Sequence, residues 1–312
     1  MQPRRNILVG VSILLIALLV CGCSGSTPTA EPSTAAPSAI VTEAPVLTEP
    51  PATPTAEPLN TLPAEPQAVT FTNSAGVELQ GYYYPAAVNP APLVVLMHWP
   101  NGDMSDWYEI AVWLQNRGLV NPFTNPMDEA WWDEGWFPAV PDDRSYGVFI
   151  FSFSNSHPFS PNPESPPDMS GWLDDAQSAM LKALELEGVD PTRIIAIGSI
   201  HGGDGAIDGC LYLNQKQPGA CAGALSLSPG SYLQMDYPET VAAMVEVSPD
   251  APVWCIGMEY EIAICEYAAE QGNSQFNFYK IPGTNSGNLL LQAGLDPLPM
   301  QIILDFLEEA TK

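Results

Sequence analysis

Histidine is the side chain of this sequence best suited to proton transfer or metal binding, and the chain has only three: His98, His157 and His201. Each follows a segment that is typical of a buried strand. The carboxyl ends of parallel strands meet at one edge of a sheet, where such folds place ligand sites. We therefore expect all three imidazoles at that edge, where each is a candidate general base and each also has a plain structural interpretation as a turn or loop residue.

A joint metal site is the second chemistry that these histidines allow. Three imidazoles with Glu261 or Asp204 as a fourth ligand match the donors that zinc prefers. No tight spacing, such as two histidines four residues apart on a helix, supports that arrangement. The sequence therefore predicts no metal and no cofactor.

The elements that must position these residues alternate between strands and helices. Such alternation predicts an α/β fold, with a mostly parallel central sheet and helices on both faces. The two leading strands flank a Ser-Ala-Gly turn and predict an antiparallel hairpin. The predicted strands are Val69–Asn73, Val77–Tyr84, Pro92–Met97, Gly147–Phe153, Ile194–Ile197, Ala222–Leu227, Val253–Ile256 and Gln275–Ile281, and the predicted helices are Ser105–Arg117 (with Ser105 as N-cap), Trp172–Leu186, Asp204–Asn214 and Leu298–Ala310.

Four strand ends carry motifs that resemble one known family. Leu-Met-His-Trp at 96–99 resembles an oxyanion loop, and Gly-Ser-Ile-His-Gly at 198–202 resembles a nucleophile elbow. The segment 252–261 resembles the strand that ends in the catalytic acid, and 279–287 resembles the loop that carries the catalytic histidine. Together they resemble the α/β-hydrolase fold over nearly all of 69–312, nearest to dienelactone-hydrolase-like and peptidase-like members.

Two of the three catalytic positions that this resemblance implies hold residues that cannot perform the expected role. The elbow pattern G-x-S-x-G places the nucleophile at Ile200, an alkyl side chain, and the histidine position is Ser286. Only the acid position keeps its type, as Glu261, with Glu259 as the other candidate. The resemblance thus implies a degenerate triad, and it gives His98, Trp99 and His201 as the oxyanion and pocket residues.

A displaced catalytic machinery is the alternative. Ser199 lies one position before the elbow residue and is an alternative nucleophile, with His157 or His201 as the replacement base. One residue changes the direction of a side chain by a large angle on such a turn. We therefore expect Ser199 to point into the packing of the helix.

Seven of the eight tryptophans fall between the third strand and the helix after the fourth. Many lie in or near an insertion at 119–146 that resembles a cap. Two interpretations stay open: a small core for the insertion, or rings that stack on a ligand. These residues are Trp99, Trp107, Trp113, Trp131, Trp132, Trp136 and Trp172.

The N-terminus indicates export. Arg4 and Arg5 precede an apolar run, Ile7–Val20, that is too short for a confident membrane span, and Gly22-Cys23 resembles a lipoprotein cleavage and lipidation site. We predict a lipoprotein signal peptide at 1–22, a Pro/Thr/Ala-rich disordered tether at 23–68 and a domain at 69–312. Lipid on Cys23 would anchor the chain, outside the cytoplasm, to a bacterial membrane.

Cysteines and charge complete the picture. In an oxidising compartment the four remaining cysteines predict two local bridges, Cys210–Cys221 and Cys255–Cys265. The net charge of −27 excludes a nucleic-acid-binding protein and favours a monomer. We expect the lipid anchor to be its only contact with the membrane. We expect a non-catalytic protein that binds a small ligand or peptide. The alternative is an exported ester or peptide hydrolase of the serine type.

Overall fold

A computed structural model describes residues 62–123, 136–156 and 167–312 of the chain. The predicted signal peptide, Cys23 and most of the predicted tether lie outside the described residues, as do His157, Trp131 and Trp132. The strands are β1 (Gln67–Thr72), β2 (Glu78–Tyr84), β3 (Ala91–Met97), β4 (Gly147–Phe151), β5 (Val189–Ser199), β6 (Cys221–Leu227), β7 (Val253–Met258) and β8 (Phe276–Ile281).

These strands form one sheet in the order β1-β2-β4-β3-β5-β6-β7-β8. The pairs β1–β2 and β2–β4 are antiparallel, and all other neighbours run parallel. The predicted α/β fold with a leading hairpin is confirmed. The carboxyl ends of β3, β5, β6, β7 and β8 therefore lie along one edge.

Helices cover both faces because the central strands are apolar on both sides. Alternate residues of β3 divide between two cores, with Val95 in one and Leu96 in the other. The first core also takes residues of α2, α3, α4 and α5, and the second takes residues of α1 and α6. The helices are α1 (Tyr108–Gln115), α2 (Trp172–Ala183), α3 (His201–Lys216), α4 (Tyr237–Val247), α5 (Ala263–Glu270) and α6 (Pro299–Ala310).

Some helix predictions need correction. The expected helix 105–117 is a 3₁₀ turn, Met104–Trp107, followed by α1, and its cap is Asp103 rather than Ser105: the Asp103 carboxylate accepts a 2.7 Å hydrogen bond from the Ser105 amide. The sequence prediction also missed α4 and α5. The first of these has a clear start signal, because Asp236 accepts a bond from the Glu239 amide.

The folded part begins before residue 69. Leu62 is buried, and Arg117 donates to the backbone carbonyls of Leu62 and Pro63 at 3.1 and 3.0 Å. Residues 62–68, which were assigned to the tether from the sequence, therefore pack against the domain, and β1 begins at Gln67. No helix within the described ranges is long and apolar enough to cross a membrane.

Two disulfide bonds tie helices to the sheet. Cys210 of α3 is bonded to Cys221 at the start of β6, and Cys255 of β7 is bonded to Cys265 of α5. This is the local pairing that the spacing predicts. Disulfides persist in oxidising compartments, so both bonds fit an extracytoplasmic protein.

Candidate functional site: the carboxyl edge of the sheet

The turn between β5 and α3 has the sharp backbone of a nucleophile elbow. Ile200 alone separates the strand from the helix, with φ 53° and ψ −111°. A β-branched residue at positive φ is a backbone outlier, so the surrounding structure must impose it. The close packing of two glycines does this. A Cβ on Gly198 would lie 1.8 Å from the Gly202 carbonyl oxygen, and one on Gly202 would lie 2.2 Å from that of Met97.

The side chain at the elbow packs against the loop that should supply the base. Gly287 follows Ser286 and has φ 58°. A Cβ on Gly287 would lie 2.9 Å from both the Ile200 Cδ1 and the Ser199 Oγ atoms. The apolar side chain of Ile200 therefore packs against the backbone of the loop after β8. In an active hydrolase of this fold, a nucleophile at this position would contact the catalytic base.

The acid position keeps its carboxylate but bonds to a different partner. Ser228 Oγ donates to Glu261 Oε1 at 2.5 Å, and the Met258 amide donates to the same oxygen at 3.2 Å. Ser228 Oγ in turn accepts a 2.9 Å hydrogen bond from the Gly287 amide. Ser228 therefore links the acid loop to the loop after β8. Glu259, the other acid candidate, is exposed to solvent.

Ser199, the alternative nucleophile, is fully buried. Its Oγ has no hydrogen-bond partner among the described residues, so neither His98 nor His201 is bonded to it. A serine hydroxyl without a base stays protonated and is a weak nucleophile. The expectation that Ser199 points into packed structure agrees with this burial.

His98 is a structural residue rather than a base. The Phe153 amide donates to its Nε2 at 3.0 Å, which leaves the proton on Nδ1, and Nδ1 donates to the Trp99 carbonyl at 2.6 Å. Burial lowers the pKa of His98 to about 4, so the ring is neutral near pH 7. Both ring nitrogens are occupied, and His98 has no lone pair to offer a metal or a substrate.

His201 begins α3 directly after the elbow. Its ring stacks on Tyr232 with centroids 4.6 Å apart and planes 13° apart, and its Nδ1 has no partner in the described part of the chain. Burial lowers its pKa to about 4, so this imidazole is neutral as well. Of the two histidines that the structure describes, it is the one with an uncommitted ring nitrogen.

Two buried carboxylates lie on α3 below the elbow. Asp204 accepts hydrogen bonds from the amides of Gly230 and Tyr232 and so holds the loop after β6. Burial raises the pKa of Asp204 to about 6. One turn further on, burial and the charge of Asp204 raise the pKa of Asp208 to about 8. Within the described ranges, no three His, Cys, Asp or Glu side chains are grouped so that they could hold a metal ion.

The tryptophans are mainly structural where the structure describes them. Trp107 and Trp172 are fully buried in the two cores, which excludes ligand stacking for both. Trp113 packs on Phe137 and donates to the Pro138 carbonyl at 2.7 Å, which ties α1 to the described part of the insertion. Trp99 and Trp136 are half-buried.

Sequence reasoning missed Ser228 and Tyr232. Both lie in the loop after β6, in a Ser-Pro-Gly-Ser-Tyr segment that has the composition of an ordinary turn. The partner of Ser228 lies 33 residues away along the chain. Ser228, Ser231 and Gln234 of this loop have positive φ, a feature that is visible only in the structure.

Solved structures share this architecture. The chain aligns with a DcsB complex at TM-score 0.55 and 11% identity, over 79% of this chain and 99% of that one. It aligns with the α/β hydrolase GrgF from Penicillium sp. sh18 at TM-score 0.54 and 12% identity, over 79% and 99%. A bacterial heroin esterase gives TM-score 0.53 and 16% identity, over 81% and 87%. The chain has the α/β-hydrolase fold. Identities this low show the fold alone.

Sequence relatives of this α/β-hydrolase-fold chain are partial matches. The uncharacterised protein YfhR of Salmonella typhimurium (strain LT2) is 27% identical over 149 residues, which are 46% of this chain and 40% of YfhR. YfhR of Escherichia coli (strain K12) is 25% identical over 150 residues, 47% of this chain and 42% of that protein. The match thus spans less than half the length of these relatives. No protein-family model matches the chain.

Proposed function

We propose that this chain is an exported, lipid-anchored protein of α/β-hydrolase fold that does not catalyse Ser-His-acid hydrolysis and instead binds a small ligand or peptide at the carboxyl edge of its sheet. The observation that carries the proposal is Ile200, which occupies the strained elbow conformation with a side chain that has no lone pair.

The remaining groups support the same function. Acyl transfer needs a nucleophile, a base and an acid that orients the base, and loss of one member removes most of the activity of the unit. Here Ser286 stands at the base position, while Glu261 is bonded to Ser228. His98 has no free ring nitrogen, so it cannot replace the base.

An active ester or peptide hydrolase with a displaced nucleophile is the competing function. Solved neighbours titled as hydrolases and esterases favour it. It requires Ser199 to act with His201 or His157. Against it stands the complete burial of Ser199 beneath Gly287, without a base bonded to its hydroxyl in the described part of the structure.

Serine-directed labelling separates the two functions. The full chain is treated with a fluorophosphonate probe beside an active serine esterase as positive control, and Ser199→Ala is treated in parallel. We expect no label on either form of the chain, because an unactivated serine hydroxyl does not react. Stoichiometric labelling of one serine would refute the proposal, and loss of that label in Ser199→Ala would establish the displaced nucleophile.

The lipid anchor has its own test. Cys23 follows Gly22 at the end of the signal sequence and Cys21 lies two residues before it, so the two cysteines form a matched pair. In cells fed a labelled fatty acid, we expect Cys23→Ala to lose the lipid label and the Cys21→Ala control to keep it. The opposite pattern, or a label on both variants, would contradict anchoring at Cys23.

A further inference from the structure

Two exposed tyrosines lie in loops at the carboxyl edge of the sheet. Tyr232 follows β6 and is 50% exposed, and Tyr260 follows the neighbouring strand β7 and is 63% exposed. The ring of Tyr232 is stacked on His201, which fixes its orientation. Burial and the charges of Asp204 and Glu261 raise the pKa of Tyr232, and the nearby hydroxyl of Tyr260 contributes to the same shift. We call Tyr232, Tyr260, Glu259 and Glu261 the tyrosine patch.

The chain around this patch is strongly acidic. No Lys or Arg occurs between residues 217 and 279, a segment that holds eight Asp and Glu residues. The next cation along the chain, Lys280, is paired with Glu266 at 2.9 Å. Glu259 is exposed, and the two hydrogen bonds that Glu261 accepts from described residues go to its Oε1 atom. Carboxylate oxygens at the patch are therefore left for a ligand.

Aromatic faces with carboxylates beside them match one ligand chemistry. A tyrosine ring attracts an ammonium or guanidinium group through its negative face, and a carboxylate adds charge and hydrogen bonds. The low pKa of His201, about 4, keeps its imidazole uncharged, so it does not repel a cation. An anionic ligand would meet only repulsion from these carboxylates.

Openness of the patch favours a peptide over a free amine. A small-molecule site encloses most of its ligand, whereas both tyrosines here have half or more of their surface exposed. Affinity on such a surface must come from several side chains spaced along an extended ligand. The geometry points to the tyrosine patch as a docking surface for a Lys- or Arg-containing peptide segment of a partner protein, which deepens the proposed function by naming its ligand.

The test uses a fluorescein-labelled peptide of three Gly-Arg repeats and a neutral counterpart with citrulline in place of arginine. Fluorescence polarisation with the full chain gives the affinity of each. We expect Tyr232→Leu and Tyr260→Leu each to weaken binding of the Gly-Arg peptide about five- to tenfold, and Glu259→Gln about threefold. The matched controls on α5 are Tyr267→Leu, 56% exposed, and the exposed Glu270→Gln. Both should leave the affinity unchanged.

Several outcomes would overturn the docking surface. Equal weakening by patch and control variants would mean attraction by overall charge. Equal affinity for the citrulline peptide would show that the positive charge of arginine is not recognised. Displacement of the peptide by tetramethylammonium at an equal concentration of positive charge would show that a small organic cation is the ligand. Fluorophosphonate labelling is independent of these results, so failure of the patch and failure of the non-catalytic function remain distinguishable.

Discussion

The turn at Ile200 and the loops around Glu261 share one edge of the sheet, but different interactions hold them in place. At the turn the backbone has the sharp geometry of an elbow, with φ 53° at Ile200, and the side chain there is apolar. Around Glu261 the carboxylate accepts a hydrogen bond from Ser228, whose hydroxyl accepts one from the Gly287 amide. The turn is thus defined by backbone geometry, and the loops around Glu261 by bonds between polar groups.

The elbow and the loop that carries Glu261 are maintained by different interactions. The elbow is fixed by the fold, because Gly198 and Gly202 let β5, α3 and the end of β3 approach more closely than a Cβ allows. The packing of the fold therefore accounts for its strain. The acid loop is fixed by polar bonds, which can be exchanged one partner at a time. A serine from the neighbouring loop is sufficient to hold the carboxylate.

Gly202→Ala tests whether close packing holds the elbow, and it is expected to have the largest effect on stability. The added Cβ would lie 2.2 Å from the Met97 carbonyl oxygen and 2.6 Å from that of His98, and neither backbone atom can retreat. We expect the free energy of unfolding to fall by about 3–5 kcal/mol in denaturant titrations. Gly219→Ala is the control, since its Cβ meets open space, and its positive φ costs about 1 kcal/mol. Similar losses in both variants would contradict packing as the cause.

Ser228→Ala tests whether polar bonds hold the loop that carries Glu261. It removes one hydrogen bond to Glu261 and leaves the Gly287 amide without its acceptor. We expect a loss of about 2–3 kcal/mol in the free energy of unfolding, because one of the two bonds is to a charged group. The exposed Ser74→Ala should stay within about 0.5 kcal/mol of the unmodified chain. A loss at Ser228 no larger than at Ser74 would show that the serine does not brace the acid loop.

Asp208→Asn is expected to have the smallest effect on stability, which is measured as a change in the pH dependence of the free energy of unfolding. The folded-state pKa of Asp208, about 8, exceeds the ordinary value of 3.8, so the folded chain binds more protons between these values and stability falls as pH rises. The variant should lose about 1 kcal/mol less than the unmodified chain between pH 5 and pH 6, because one proton bound only by the folded chain changes stability by about 1.4 kcal/mol per pH unit. The exposed Asp250→Asn should keep the original slope. An unchanged slope in Asp208→Asn would mean that the carboxylate is not desolvated beneath the elbow.

The positions of the strands were predictable because each strand has a local sequence pattern. A continuous apolar run such as Leu93–Met97 has apolar side chains on both faces, so it indicates a strand that is buried on both sides. In β1 and β2, buried and exposed side chains alternate on either side of a turn that contains glycine. The prediction missed α5 because it is eight residues long and has no capping side chain. Helix α4 was missed although Asp236, Pro238 and Glu239 mark its start, so that signal was present and unused.

The site divides in the same way. Motif spacing placed Ile200 at the elbow, and the backbone there agrees. The contact of Ser228 was unpredictable, because Ser228 and Glu261 are 33 residues apart, with α4 and β7 between them, and the type of a turn residue does not indicate such a contact. The commitment of both ring nitrogens of His98 was equally hidden, because the Phe153 amide that donates to it comes from a different strand end.

Intact mass after fluorophosphonate treatment shows whether the residues at positions 200 and 286 are what prevents serine-type hydrolysis. Two proteins are compared: the unmodified chain and the double variant Ile200→Ser/Ser286→His. The two substitutions place a hydroxyl at the elbow and an imidazole in the loop after β8, directly before Gly287, which lies against Ile200. The account predicts no adduct on the unmodified chain and one adduct, at position 200, on the double variant. One adduct on the unmodified chain, or none on a folded double variant, would contradict it.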